Sequence, residues 1–183
     1  MELSETKKNI VRWAKLLFIQ TQCTEVLKAY CNMQKELQNL DVNEFWQSAA
    51  RLVNSAALIS KTLWGKSNDP LWVQLKAELE VTENMEIKNK QIRNSFEHFD
   101  ERLDEWEKKS ENGVLIDGNI GPVDSIKVAG ANQESELLSR LRHFDPSTGI
   151  ISFFGKEFSV PKVAEEAALI RKNTQKLMPK IFW

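Results

Sequence analysis

From Glu5 to about Leu37 the chain contains neither Gly nor Pro, and apolar residues recur at Ile10, Trp13, Ala14 and Leu17, then at Val26, Leu27, Tyr30 and Met33. Apolar positions three and four apart share one face of an α-helix, so this spacing predicts a long amphipathic helix over 5–37. Asp41 is placed to cap a second helix, from Val42 to Trp64, because its carboxylate can accept N–H groups that a helix start leaves unpaired. The inner stripe of that helix reads Phe45, Ala49, Leu52, Val53, Ala56, Ile59 and Leu63, with the alanines permitting close approach by a neighbour. Gly65 ends it, and Asp69-Pro70 reads as the cap and first-turn proline of a short third helix carrying Trp72, Leu75 and Leu79. A fourth helix is predicted from Glu83 to Lys109. At about 100° per residue, Met85, Ile92, Phe96, Phe99, Leu103 and Trp106 fall on one face, expected to be core. Arg93, Asn94, Glu97, His98, Glu101 and Glu105 fall on the opposite, solvated face.

After Asn112-Gly113 the pattern changes. Val114-Leu115-Ile116 and Ile120 flank the turn dipeptide Asp117-Gly118, which predicts a short hairpin followed by a loop to about Asn132. Glu134 to Arg142 reads as one helical piece. Asp145-Pro146-Ser147-Thr148-Gly149 is a turn, and Ile150 to Phe154 with Glu157 to Ser159 read as two strands around Gly155-Lys156. Pro161 opens a last helix to about Met178. No internal repeat, low-complexity tract or heptad run stands out. The layout is mainly α: a helical bundle over 1–112, and a strand-and-helix extension over 113–183, with a small β-hairpin region and a C-terminal helix, packed on the same domain.

A chain of 183 residues supports one well-buried domain. Its net charge of −1 gives no global field for a polyanion, so any contact with nucleic acid must come from local patches. Residues 82–112 hold six basic and nine acidic side chains, whereas 2–40 and 123–183 are each mildly basic. Cys23 and Cys31, if they share one helix, stand about 12 Å apart along its axis, too far to bridge each other. Reduced thiols point to the cytoplasm. Arg12 and Lys15 interrupt the apolar run near the N-terminus, so neither a signal peptide nor a membrane span is expected. Two isolated Cys and two isolated His do not build a standard zinc site, and no Gly-rich loop opens a helix after a strand. Neither metal nor cofactor is expected. Five of the six tryptophans (Trp13, Trp46, Trp64, Trp72 and Trp106) fit core or interface positions. The terminal Ile181-Phe182-Trp183 either docks on its own domain or meets a partner.

The candidate chemistry lies on the polar face of the fourth helix, in Ile92-Arg93-Asn94-Ser95-Phe96-Glu97-His98-Phe99. An arginine offers a planar, charged fork of donors for a phosphate, and histidine titrates nearest neutral pH, so the two together can cleave RNA without a metal. Five residues separate them by about 7.5 Å along the axis and roughly 140° around it, which does not converge them on one phosphate. Two-fold pairing would bring side chains from both copies together. The other histidine, His143, has no arginine at the corresponding positions and reads as a turn or strand residue.

The spacing Arg93-x4-His98, with polar Asn94 directly after the arginine on a late helix of an all-helical domain, resembles the HEPN superfamily of ribonuclease-like and nucleic-acid-associated proteins. The run Glu97-His98-Phe99-Asp100-Glu101-Arg102-Leu103 also resembles bacterial HEPN-like proteins without an assigned role. The resemblance covers about the first 110 residues. It implies a HEPN-like bundle and a homodimer whose two motif copies face each other across a cleft. It also implies metal-independent endoribonuclease activity, of the kind used as a toxin in bacterial conflict or stress systems. Arg93 would hold the scissile phosphate, His98 would act as general acid or base, and Asn94 would orient a neighbour. RNA and an antitoxin or regulatory protein are the implied partners. In HEPN toxins silenced by a nucleotidyltransferase a tyrosine stands two residues after the motif histidine. Here that residue is Asp100, and the only tyrosine is Tyr30. Two other readings of the face remain. One is a solvated surface in which Arg93 pairs with Glu97, and His98 with Arg102 or Glu105. The other is a catalytically inert module that dimerises and recruits protein or RNA through the same cleft, which the acidity around the motif favours.

Overall fold

The computed structural model describes residues 5–65, 70–89, 91, 94, 97–109, 113–122, 125 and 140–178. It is mainly helical, with a small four-stranded sheet and a C-terminal helix. Helices α1 (Glu5–Gln38) and α2 (Val42–Leu63) form a long hairpin. The Asp41 carboxylate accepts the Glu44 N–H at 3.2 Å, as expected of the cap. Every residue of the stripe expected in α2 is buried. In α1 the expected stripe is only half right. Val26 and Met33 are buried, but Ile10 is 53% exposed and Leu17 39%, and the seam instead runs through Leu16, Ile19, Cys23 and Val26. Partly buried Tyr30 and Leu37 continue it alongside Met33. These steps of three and four residues are a heptad seam, answered in α2 by Phe45, Ala49, Leu52, Ala56, Ile59 and Leu63. A heptad run is therefore present where none was expected: the predicted stripe holds Val26, Tyr30 and Met33 but passes over Leu16, Ile19, Cys23 and Leu37.

The hairpin turn is closed without glycine. Leu40 adopts φ +56°, and its flanking bonds run from Asp41 N–H to Glu36 O and from Leu40 N–H to Leu37 O. Those two bonds are the Schellman arrangement that satisfies the last carbonyls of a helix. The same device recurs after α3 (Pro70–Glu78), with Glu80 at φ +58° and Val81 N–H bonded to Lys76 O. Leu75 and Leu79 are buried as expected of that helix. Between α2 and α3, a Cβ on Gly65 would lie 2.7 Å from the Lys61 carbonyl oxygen, so the chain can leave α2 there only as glycine. Asp69, expected to cap α3, lies outside the described residues.

The largest departure concerns the fourth helix, which does not begin at Glu83. Glu83 and Asn84 form a turn, Glu86–Lys88 a single 3-10 turn, and Met85 and Asn89 are extended on either side of it. Tertiary bonds impose this shape. The Glu166 carboxylate accepts the Glu86 and Ile87 N–H groups at 2.9 and 2.8 Å. The Ser60 hydroxyl donates to Lys88 O, and the Asn173 amide donates to Leu79 O. Ile87 is thereby fully buried beside α2 and the C-terminal helix. The helix that follows, α4 (Phe99–Lys109), contains no buried residue, so its apolar face is not core as expected. Phe99 is 40% exposed, and Leu103 and Trp106 are only partly covered by the core. Ile92 and Phe96 of the expected stripe lie outside the described residues.

The sheet comprises β1 (Asn119–Ile120), β2 (Arg142–Asp145), β3 (Ile150–Phe153) and β4 (Lys156–Ser159), in that spatial order. Asp117-Gly118 does not turn a hairpin. Ile116 bridges Arg140 and β1 pairs β2 in parallel, so the segment runs alongside β2 in the same direction. Arg142 holds Asp117 there through a bidentate pair at 2.7 and 2.6 Å, and Trp46 donates its indole N–H to Gly118 O. The helix expected to reach Arg142 is strand by that point, and its earlier part lies outside the described residues, as does most of the expected loop to Asn132. The β3–β4 hairpin forms as expected, and the expected turn at 145–149 joins β3 to a strand, β2, that was not expected. Asp145 to Gly149 turns between β2 and β3, and the β3–β4 turn is Phe154-Gly155, both at positive φ (45° and 72°), as a two-residue type I′ turn requires.

Register gives the sheet two distinct faces. Ile120, Phe144, Ile151 and Phe158 form one row across the four strands and join the core, while Asn119, His143, Ser152 and Glu157 form the row behind. Helix α5 (Val160–Leu177), with Pro161 in its first turn, lays Val163, Ala164, Ala167 and Ile170 into the core against α1. The buried cluster draws on residues from both sides of position 112.

Candidate functional site

The clamp that breaks the fourth helix also sets where the motif begins. Downstream of Asn89, Gln91, Asn94 and Glu97 are helical, and His98 N–H donates to the Asn94 carbonyl at 3.0 Å. Asn94 and His98 therefore stand one turn apart on one face of a helix, both exposed. Arg93 lies outside the described residues. The structure thus brings Asn94 and His98 together and leaves the third motif residue undescribed.

The imidazole of His98 has a specific partner. Its Nδ1 lies 3.2 Å from Oε1 of Glu101, three residues on. An ionised carboxylate only accepts, so Nδ1 carries the proton and donates it to Glu101. That contact engages Nδ1 and leaves Nε2 as the nitrogen available to a substrate. In the sequence Glu101 is one acid among several near His98, and its spacing of three from the histidine is the signal that marks it. Arg102 pairs with Glu105 at 2.8 Å rather than with His98, and this pairing holds the Glu105 carboxyl below its ordinary value. Glu97, Asp100, Glu101, Asp104 and Glu105 are all exposed, so the acidic character expected of this face is present in three dimensions.

His143 is built differently. It is 97% buried in β2, where its Nδ1 accepts from the Asn119 amide at 2.8 Å, and its Nε2 has no partner among the described residues. Burial lowers its pKa, the nearby Arg140 guanidinium lowers it further, and Asp145 opposes both. This is a neutral structural histidine, not a second copy of the motif. Cys23 and Cys31 are both free, and burial pushes the Cys23 thiol up to about 12. Among the described residues no group of three or more His, Cys, Asp or Glu could hold a metal ion, and no helix is long and apolar enough to cross a membrane. No protein-family model matches the chain, nor does any curated protein or solved structure.

Proposed function

We propose that the protein is a metal-independent endoribonuclease, or a ribonuclease-like toxin of a bacterial conflict or stress system, that works as a HEPN-like homodimer through Arg93, Asn94 and His98. The observation that carries this reading is the exposed His98–Glu101 pair, one helical turn beyond Asn94 and in Arg-x4-His spacing. With Nδ1–H given to Glu101, Nε2 of His98 can take the proton of a ribose 2′-hydroxyl as its oxygen bonds to phosphorus. The bond from phosphorus to the 5′-oxygen then breaks, and that oxygen takes up a proton, delivered by the imidazolium of either copy. Arg93 neutralises the charge that builds on the phosphate, and Asn94 orients a neighbouring group. The incompletely covered Phe99, Leu103 and Trp106 of α4 support pairing of this helix with a second copy.

A second reading has its own support. Five exposed carboxylates on the motif helix oppose a polyanion, which favours an inert HEPN-like module that dimerises and recruits a protein or RNA. Incubating total cellular RNA with the purified protein in excess chelator separates the two. Fragmentation that Arg93→Ala and His98→Ala each abolish supports the nuclease; an RNA pool left intact by wild type favours the module. An uninhibited nuclease also slows growth of the host that expresses it, and the module does not.

A further inference from the structure

Part of the apolar stripe that the sequence assigns to the core faces outward at the start of α1. Ile10, Val11, Leu17 and Phe18 are 53%, 40%, 39% and 41% exposed, and Ala14 between them is exposed too. At about 100° per residue these five positions span about 120° of the helix surface, opposite Leu16, Ile19 and Cys23 of the seam. This stretch of α1 is therefore apolar on two sides, and its outer side forms a ridge about 12 Å long at about 1.5 Å per residue. Two cavities, of about 540 and 430 Å³, open along one flank of the ridge, toward α2 and α3. Val11, Ala14 and Phe18 are among their lining residues, whereas Ile10 and Leu17, on the other side of the ridge, are not. A guest seated in the cavities would leave Ile10 and Leu17 in water, but a broad, flat surface meets all five side chains.

Charge selects among such surfaces. Residues 6–24 carry Lys7, Lys8, Arg12 and Lys15 and no acidic side chain, and Lys61 of α2 stands at the larger cavity. Glu5 pairs with Lys8 and Glu78 with Arg12, while Lys7 and Lys61 are in no ion pair among the described residues. A two-fold pairing of the ridge with its own copy would set these lysines against one another. An anionic surface attracts them instead, and long lysine stems let the ammonium groups stay at its head groups while neighbouring apolar side chains go deeper. We propose that the first turns of α1 dock the protein on an anionic phospholipid surface, with Ile10, Val11, Leu17 and Phe18 at the acyl boundary and Lys7 and Lys61 at the head groups. The helix lies along that surface, since no helix among the described residues is long and apolar enough to cross one. The ridge belongs to α1 rather than to the motif helix, and the proposal does not depend on the nuclease reading.

The test is flotation of the full chain with vesicles of phosphatidylglycerol and phosphatidylcholine in equal parts, beside vesicles of phosphatidylcholine alone. Binding to the mixed vesicles should be about tenfold or more tighter than to the neutral ones, and should weaken as salt is raised. Leu17→Asp and Phe18→Asp should each lower it by about tenfold or more, and so should Lys7→Glu. All three residues are exposed, so the variants keep their fold, and their unfolding transitions provide the check. No binding by wild type, equal binding to the two kinds of vesicle, or mixed-vesicle binding unchanged in Lys7→Glu or in folded Leu17→Asp would each overturn the proposal. Wild-type chains that pair with one another, lose that pairing in Leu17→Asp and ignore vesicles would overturn it too, and would give the ridge to a second copy.

Discussion

Replacing Glu166 by alanine removes the clamp that shapes the segment leading into the motif helix. Its two oxygens accept the Glu86 and Ile87 N–H groups at 2.9 and 2.8 Å from a half-buried position. Hydrogen bonds to a charged group contribute about 1.5 to 3 kcal/mol each, and water recovers part of that loss at a half-buried site. The expected cost of Glu166→Ala is therefore about 3 kcal/mol, or roughly 6 to 12 °C in melting temperature for a chain of this length. Glu166→Gln should cost about half as much, because its amide keeps one acceptor but turns a second donor toward the other N–H. Neighbouring Glu165 is exposed, and Glu165→Ala should change stability by less than about 0.5 kcal/mol. Urea unfolding gives the energies, and amide hydrogen exchange at Glu86 and Ile87 gives the local effect. A cost below about 1 kcal/mol for Glu166→Ala, with those two amides still protected, would refute the idea that this carboxylate prevents a continuous helix.

Leu40 is 84% exposed at φ +56°, so Leu40→Gly should relieve left-handed strain and raise stability by about 0.5 to 1 kcal/mol after the added freedom of the unfolded chain is counted; a lower urea midpoint would contradict this. The pKa of His143 is lowered in the fold, so its contribution is present above its unfolded value of 6.5 and is lost as pH falls through the depressed folded value. Stability should accordingly drop from pH 7 toward pH 5 more steeply in wild type than in His143→Gln, and parallel curves would count against it. A thiol reagent at pH 8 should modify exposed Cys31 and spare Cys23, whose thiol is held at about 12; the Cys31→Ser variant should react only on unfolding. Since the folded Cys23 pKa lies above its model value of 9.0, the stability it contributes is complete below pH 9.0 and disappears between there and about 12.

Helix α2 was legible because one stripe with one period, bounded by Asp41 and Gly65, decides it without reference to the rest of the chain. The turn at 145–149 and the β3–β4 hairpin were legible for the same reason, because turn residues and short apolar strand runs are local signals; β2 was not, since the stretch before it reads as helix to Arg142. The α1 seam was hidden because Cys23 occupies a heptad position, while Ile10 and Leu17 make an outward-facing apolar pattern that competes with Leu16 and Ile19. The break at 83–89 had no local signal, since the carboxylate that imposes it stands 80 residues away from Glu86. Asp117-Gly118 misled for a related reason: the partner that straightens this stretch is Arg142, and a parallel pairing leaves no two-residue turn to read. At the candidate site the spacing of Arg93, Asn94 and His98 was visible at once. The choice of Glu101 as the partner of His98 needed coordinates, because several acids lie within reach of that ring.

If His98 moves a proton in metal-independent RNA cleavage, kinetics on a single RNA substrate in excess chelator must depend on its imidazole. Because the His98 side chain is exposed, His98→Ala should match wild type in unfolding free energy to within about 0.5 kcal/mol. Cleavage by wild type and a loss of about 100-fold or more in kcat/KM for that folded variant are expected. Equal cleavage by the two proteins, or none by wild type across the cellular RNA pool, would contradict that role of His98.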